Sequence, residues 1–408
     1  MSEERIVDLG VKRRRLPVAG AELDLRALRG EARALARELD LERPASRLAD
    51  APRRARAHAT AVHNYAINRR LAREGREDLR PLYFIWTLSR TCNFLCDYCD
   101  DHQGRRYPEL PTEGELDTAR GLRLLDVMRT GTSSVYFAGG EPLLRNDLPL
   151  LASHARAVSY YPIIVNTNAS ALDRRLRQAS WRGFLADIDI LVVSLDALDP
   201  SVLSEMWGYA RPEEVIRNLL LAKKLAAEMN VKLMVNTVIQ PGRVQHARAV
   251  LDFARELGIT FSPVPVNVGP RAHRALTDDP EYLALARTIL ARKREGQRIA
   301  GSRRMLRRLL FSEPLDCRNT LKPHVDHDGH LFWPCKASVA VEPARIDVLS
   351  FNDVDSLYAH GSTLIDPTRF SERCGATCNW AQNYSTDAYA HGLTHPLSLA
   401  SDVIELLR

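Results

Sequence analysis

Short apolar runs alternate with longer amphipathic stretches from Tyr83 to about Gly301, and this alternation predicts repeated βα units. Six runs have the length and composition of buried strands: Tyr83 to Ser89, Ser133 to Ala138, Tyr161 to Thr167, Ile188 to Leu195, Val231 to Ile239 and Ile259 to Val266. Strands that alternate with helices are typical of a parallel sheet. The pattern therefore predicts an α/β fold in which residues 81–300 form a partial, TIM-like (β/α)6 barrel.

The first 80 residues contain no strand-like alternation and predict a helical N-terminal extension. Leucines recur at helical spacing from Leu23 to Leu39, a break is expected near Pro44 and Pro52, and a second helical run continues to about Arg73. Residues 11–82 also hold 18 Lys and Arg against 10 Asp and Glu, in a chain of net charge +6. Any acidic partner is therefore expected to bind at this segment.

The basic stretch 53–73 has two interpretations: a basic interfacial helix that makes peripheral membrane contact, or a solvated basic helix packed on the barrel. No apolar run is long enough to span a bilayer, and the first 20 residues lack a signal peptide's apolar segment. We therefore expect a cytoplasmic protein, and we expect no DNA partner.

The 408 residues contain seven cysteines, an odd number, and these are grouped rather than scattered. A reducing compartment keeps thiols free, so the grouping favours metal or cluster ligation over disulfides. Three of the seven, Cys92, Cys96 and Cys99, follow the first predicted strand with CxxxCxxC spacing. In parallel barrels the loops after the strands carry the chemistry, which places these three thiols where a catalytic group is expected.

Three thiolates from one loop leave one iron of a [4Fe-4S] cluster open to an outside ligand, because such a cluster is normally held by four. A zinc site is the alternative interpretation, although structural zinc also takes four protein ligands. The spacing, with the aromatic Tyr98 before the third cysteine, resembles the signature of the radical S-adenosylmethionine (radical SAM) superfamily. The resemblance implies a [4Fe-4S] cluster on Cys92, Cys96 and Cys99, S-adenosylmethionine at the open iron, and adenine near Tyr98.

Polar residues follow the next four predicted strands. The second strand ends in Gly139-Gly140-Glu141-Pro142, which resembles the superfamily motif that binds the amino group of S-adenosylmethionine. Two glycines permit close backbone approach to a ligand, and a carboxylate can accept hydrogen bonds from an ammonium group. Further candidates for cofactor contacts, each of which could instead be a helix cap or turn, are Asn166, Asn168, Ser194, Asp196 and Asn236.

The remaining cysteines lie after residue 301, in a segment expected to form a separate unit with an Asp328-Gly329 hairpin turn. Four thiolates close a cluster completely, and Cys317, Cys335, Cys374 and Cys378 resemble the twitch or abbreviated SPASM domain, which implies one auxiliary [4Fe-4S] cluster. A four-cysteine zinc site stays open as the alternative. The hairpin histidines His324, His327 and His330 are expected to face solvent. Residues 374–396 also resemble the tail of adenosylhopane-synthase-like radical SAM enzymes.

Together these features predict a radical SAM enzyme that cleaves S-adenosylmethionine and carries out a two-electron oxidation or related C–H modification. The resemblance implies a flavodoxin or ferredoxin-type reductant, and the substrate classes left open are a small molecule, a peptide and a lipid. The rival hypothesis is a non-catalytic iron-sulfur carrier or zinc-bound scaffold. That rival needs the cysteines but neither Gly139 to Pro142 nor the polar strand ends.

Overall fold

The computed structural model describes residues 23–99, 114–315, 317–338, 341–374 and 378–407. Its strands are β1 (Phe84–Thr87), β2 (Val135–Ala138), β3 (Ile163–Thr167), β4 (Ile190–Ser194), β5 (Lys232–Ile239), β6 (Thr260–Pro265), β7 (Asn267–Val268), β8 (Arg271–Ala272), β9 (His324–Val325), β10 (His330–Trp333) and β11 (Ala344–Asp347). Its α-helices are α1 (Leu25–Glu38), α2 (Arg47–Arg73), α3 (Thr118–Arg129), α4 (Leu148–Ala157), α5 (Leu172–Leu176), α6 (Phe184–Asp187), α7 (Pro200–Trp207), α8 (Pro212–Ala226), α9 (Val244–Leu257), α10 (Arg274–Thr277), α11 (Pro280–Arg294), α12 (Arg303–Leu310), α13 (Val354–Leu364), α14 (Pro367–Cys374), α15 (Asp387–Thr394) and α16 (Pro396–Leu407).

The first six strands are parallel and lie side by side in chain order. Each lies inside one of the six predicted apolar runs, so the predicted α/β barrel core is confirmed. Helices of the crossover connections cover the outer face, as a parallel sheet requires. All carboxyl ends of β1 to β6 therefore lie at one edge, where the post-strand loops meet.

Burial along the strands shows that the inside of the barrel is open. On β5 the side chains of Leu233 and Val235 are buried, whereas those of Met234, Asn236 and Val238, on the opposite face, are only partly buried. Strand β3 alternates in the same way. The inward positions therefore line a space that side chains do not fill, unlike the packed interior of a closed eight-stranded barrel.

The N-terminal helices pack against this barrel. Helix α1 lies along α8, and Asn64 of α2 donates to the carbonyl of Gly131 at 2.7 Å, just before β2. The predicted break extends only to Ser46, which caps α2, and Pro52 lies inside the helix. Pro52 has no N–H to donate to the carbonyl four residues earlier, which belongs to Leu48. The Leu48 side chain is 85% exposed, so the missing hydrogen bond lies near a solvated helix start.

Some arginines of the basic stretch in α2 form ion pairs, either within the helix or with the barrel. Arg53 is buried, and its guanidinium contacts Asp50 at 2.7 Å and Asp189 at 2.6 Å. Arg54 pairs with Asp50 at 2.8 Å. This arrangement matches the interpretation of a basic helix packed on the barrel. Within the described residues, no helix has the length and apolarity to cross a bilayer.

The strands of the cysteine-rich segment join the sheet of the barrel. Strand β9 pairs in parallel with β1, placing His324 beside Ile85, and β10 and β11 continue the sheet outward in antiparallel fashion. With only two residues, β9 was too short to be recognised as a strand by its apolar pattern. Gly329, with a φ of +86°, forms the predicted hairpin turn.

Because β9 lies between two strands, the prediction that the hairpin histidines face solvent is wrong for two of them. His324 and His327 are 5% and 7% exposed, and His330 is partly buried.

Candidate active site

The segment 88–99, here called the cysteine loop, leaves β1 at the carboxyl edge of the sheet and is pinned to α7. The Leu95 amide donates to the carbonyl of Trp207 at 2.7 Å, and the Asp97 amide donates to that of Met206 at 3.1 Å. Phe94 stacks on the Trp207 ring at 5.1 Å between centroids. The loop is thereby held so that its free thiols Cys92, Cys96 and Cys99, each partly buried, share one region.

Burial disfavours the thiolate form of these cysteines unless a cation lies nearby. It raises the pKa of Cys92 to about 11 and that of Cys96 well above its usual value, and the neighbouring Cys99 and Asp196 raise the Cys96 pKa further. A coordinating metal deprotonates a thiol outright. Three partly buried thiols that influence one another electrostatically therefore fit metal or cluster ligation, in which the bound cation offsets the cost of thiolate formation.

Gly139 and Gly140 approach the cysteine loop itself. The Gly140 amide donates to the Ser89 carbonyl at 2.7 Å, and the Glu141 amide donates to that of Thr91 at 2.9 Å. A β-carbon on Gly140 would overlap the Thr91 carbonyl, and Gly139 has a φ of +132°. Because the glycines have no side chains, the backbone after β2 packs directly against the cysteine loop and holds Thr91, the residue before Cys92, in place.

Glu141 is held by hydrogen bonds within the protein, and its contact with the cofactor ammonium group stays a prediction. Its side chain is fully buried, and its carboxylate accepts hydrogen bonds from the Leu143 amide at 2.8 Å, the Thr167 hydroxyl at 2.5 Å and the Asn168 amide at 2.6 Å. Burial raises the pKa of Glu141 to about 7, against these hydrogen bonds. The residue joins the ends of β2 and β3, and Pro142, also buried, begins the turn that follows.

Asp196 and Tyr98 form a second internal link. The Tyr98 hydroxyl donates to the Asp196 carboxylate, which also accepts from the Trp207 indole at 2.7 Å and the Val238 amide at 2.7 Å. Asp196 is 2% exposed, and burial raises its pKa. The carboxylate therefore ties the cysteine loop to the ends of β4 and β5 and is not directed at open space.

The remaining strand-end candidates differ in whether their side chains already bind a neighbour within the protein. The Asn168 amide donates to Asn93 at 3.0 Å, so this side chain steadies the cysteine loop. Asn166, Ser194 and Asn236 occupy inward positions, with Ser194 and Asn236 paired across β4 and β5. The Asn166 Oδ1 is buried without a hydrogen-bond partner. These three side chains are the ones placed to contact a ligand in the barrel.

Cys317, Cys335, Cys374 and Cys378, here called the four-cysteine site, lie around the segment containing β9 and β10. All four are buried, with exposures of 8%, 7%, 2% and 2%. Burial raises the pKa of Cys317 well above its usual value and that of Cys335 to about 12, and in both cases the other thiols of the set raise it further. The topology therefore gathers the four residues that the sequence grouped only by elimination.

A buried lysine indicates that this site carries negative charge when a metal centre is bound. Lys322 is 4% exposed, and its Nζ has no hydrogen-bond partner. Burial lowers the pKa of Lys322 to about 8, while the thiols of Cys335, Cys317 and Cys378 act in the opposite direction. An unpaired buried ammonium is costly, but four thiolates on a metal centre would balance its charge. The four-cysteine site therefore fits an auxiliary cluster, and sequence reasoning missed the lysine because it lies outside the cysteine motif.

In the described part of the chain, no three sulfurs of either cysteine set lie within 4.8 Å of one another. Tetrahedral zinc, with Zn–S bonds of about 2.3 Å, holds its sulfurs about 3.8 Å apart. In the described part of the chain, the only three or more potential ligands whose atoms all lie within 4.8 Å of one another are Asp326, His327 and Asp328. Neither cysteine set is gathered that tightly, whereas a cubane binds each thiolate through a different iron.

The acidic trio does not resemble a metal site, because its carboxylates already have cationic partners. Asp326 pairs with Arg90 and, at 2.9 Å, with Arg345, which also pairs with Asp328. Burial alone would raise the pKa of Asp326, but hydrogen bonds from His327, Arg90 and Arg345 hold it well below its usual range. The cluster joins the β9–β10 turn to the start of the cysteine loop.

The fold and site define an open, parallel α/β barrel with a three-thiol loop at its catalytic edge and a second thiol set on the same sheet. Residues 86–254 match the family model of the Radical SAM superfamily. The matched residues accordingly form a radical SAM domain, a kind of domain that uses a [4Fe-4S] cluster and S-adenosylmethionine, and the protein is an enzyme.

Curated relatives share this core. A PqqA peptide cyclase of Xanthomonas campestris pv. campestris is 27% identical over 301 residues, which cover 69% of this chain and 74% of the relative. A GTP 3',8-cyclase of Rhodococcus opacus is 27% identical over 178 residues, 43% of this chain. That second match spans only 48% of the relative's length.

Solved structures share the fold. Streptococcus suis SuiB bound to the precursor peptide SuiA has a TM-score of 0.54 at 20% identity, covering 80% of this chain and 75% of that one. The protein anSMEcpe with bound AdoMet and Cp18Cys peptide has a TM-score of 0.52 at 16% identity, covering 79% and 99%.

Proposed function

We propose that this enzyme reductively cleaves S-adenosylmethionine at the cysteine loop and modifies a C–H bond of a substrate held in the barrel, in a net two-electron oxidation. The observation that carries the proposal is the placement of both thiol sets on one sheet: the cysteine loop follows β1, and the four-cysteine site flanks β9, the neighbour of β1. When bound, the clusters and S-adenosylmethionine supply a 5'-deoxyadenosyl radical and a one-electron acceptor.

The protein's own residues position these groups. Cys92, Cys96 and Cys99 would hold the first cluster, and the contacts of Gly140 and Asp196 keep their loop in place. Asn166, Ser194 and Asn236 would orient cofactor and substrate from inside the barrel. Cys317, Cys335, Cys374 and Cys378 would hold the auxiliary [4Fe-4S] cluster, since four thiolates complete its coordination.

A peptide is the substrate class that we favour. The PqqA peptide cyclase matches across 69% of this chain, a span that includes more than the 169-residue barrel segment matched by the family model. A small molecule is the second candidate, supported by the GTP 3',8-cyclase match to the core alone. A lipid has less support, because Arg53 is buried in an ion pair with Asp189 and the partly exposed Arg54 pairs with Asp50, which offsets two charges on the basic face of α2. A flavodoxin or ferredoxin-type protein would supply the electron for cleavage.

Anaerobic reconstitution with iron, sulfide, dithionite and S-adenosylmethionine tests this function. The wild-type enzyme should form 5'-deoxyadenosine, and the triple variant with Cys92, Cys96 and Cys99 changed to Ala should form none while keeping a second iron-sulfur signal. Unchanged 5'-deoxyadenosine formation by the triple variant would exclude the cysteine loop. No formation by the fully loaded wild-type protein would favour the electron-carrier or scaffold hypothesis.

A further inference from the structure

Lys322 is a buried cation for which the described residues provide no carboxylate counter-ion. Its Nζ lies 4.6 Å from the centroid of the Trp380 ring and makes no hydrogen bond. The Trp380 ring face attracts a cation but does not replace a hydrogen-bonding shell. The lysine head group is therefore desolvated and only partly compensated by the protein.

This head group lies near three of the four cysteines of the four-cysteine site. Lys322 follows Cys317 by five residues, through the short turn Asn319–Leu321, and Trp380 follows Cys378 by two. Thiols of Cys317, Cys335 and Cys378 all act electrostatically on the lysine. The cation therefore lies beside the thiols that would become thiolates on metal binding.

Other buried groups nearby do not supply this charge. His324 lies next to Trp380, with ring centroids 5.3 Å apart, and burial together with Lys322 and Lys336 lowers its pKa well below the usual value, so its ring is neutral. Lys336 is also buried, but it lies over the Phe332 ring at 5.8 Å and is adjacent in sequence to Cys335. Among these groups, Lys322 is the cation whose head group makes no hydrogen bond and which is electrostatically coupled to three of the thiols.

We propose that Lys322, held against Trp380, is the positioning cation that sets the reduction potential of the metal cluster at the four-cysteine site. This inference rests on the proposed auxiliary cluster. A cluster with four thiolates is anionic and gains one further negative charge on reduction, so a fixed adjacent cation stabilises the reduced form more than the oxidised form. Lys322 would thus make the cluster a better acceptor of the electron that the proposed oxidation releases.

An EPR-monitored redox titration in the full chain tests this role. The Cys92, Cys96 and Cys99 triple Ala variant provides the background, because only the auxiliary cluster should then give a signal. Adding Lys322→Met should shift the reduction equilibrium about tenfold toward the oxidised form, which is ~59 mV more negative for one electron. Lys322→Arg should restore most of the potential, and Lys224→Met, at an exposed lysine of α8, is the matched control.

The outcomes separate the two proposals. An auxiliary signal whose potential is the same in Lys322→Met and in the control would overturn the role of Lys322 and leave the auxiliary cluster standing. Absence of any iron-sulfur signal in the triple-variant background would overturn both. Iron content measured on Lys322→Met in the otherwise wild-type chain should equal that of the wild type, which distinguishes a changed potential from a lost cluster.

Discussion

Gly140 occupies a point where the backbones of β2 and the cysteine loop meet without room for a side chain. In Gly140→Ala the new methyl group would overlap the Thr91 carbonyl, so the loop must shift and the spacing of the three thiols must change. We expect loss of the first cluster and of 5'-deoxyadenosine formation, measured by iron content and product analysis, with the four-cysteine site still loaded. Gly30→Ala in α1, where no atom lies within 4 Å, is the control; full activity in Gly140→Ala would contradict this packing.

Glu141 accepts three buried hydrogen bonds within the protein, so we expect its loss to lower stability. Glu141→Ala leaves three buried donors without their acceptor, so the free energy of unfolding should fall by about 3 kcal/mol. Thermal unfolding of the loaded enzyme should show a midpoint several degrees lower. Glu205→Ala, at a side chain 64% exposed, should change little. An unchanged midpoint accompanied by weaker S-adenosylmethionine binding would instead support direct contact with the cofactor.

At the scale of elements, helix α2 is fastened to the barrel in part through a buried arginine. Arg53→Met leaves Asp50 and Asp189 without their shared partner, and breaking a buried pair costs about 3 kcal/mol or more. Chemical denaturation of matched samples should reveal this loss. Arg70→Met in the same helix, at a side chain 70% exposed, should be nearly neutral. Equal stability of the two variants would mean that α2 is not held by this network.

Some elements were predictable from the sequence because their local apolar pattern specifies the same structure as their packing in the fold. The six barrel strands have apolar runs long enough to show their period, and the cysteine loop has a fixed spacing. Strand β9 has two residues and gains its place from hydrogen bonds to β1, so no local signal marks it. The buried histidines follow from that pairing and were equally out of reach.

The cysteines of the site could be predicted from the sequence. The hydrogen bonds that Glu141 and Asp196 accept within the protein could not, since a carboxylate at a strand end looks the same in sequence whether it faces a ligand or accepts hydrogen bonds from its neighbours. Lys322 and Trp380 illustrate the same limit, because five and two residues of sequence separate them from cysteines without revealing that they meet.

At the scale of the whole molecule, the sheet itself connects the two thiol sets. Strand β1 leads into the cysteine loop, and β9, its parallel neighbour, leads into the turn where Asp326 pairs with Arg90 of that loop. Because the C-terminal segment completes the core sheet, we expect the four-cysteine site and the barrel to be one structural unit. The central claim is that this unit carries two iron-sulfur clusters, each held by its own set of cysteines.

Metal analysis of three anaerobically reconstituted proteins tests that claim most directly. Wild type should contain about eight irons per chain and no zinc, and about four irons should remain both in the Cys92, Cys96 and Cys99 triple Ala variant and in a Cys335→Ala, Cys378→Ala double variant. About four irons with one zinc in the wild type, and loss of the zinc alone in the double variant, would contradict the account by making the four-cysteine site a structural zinc centre.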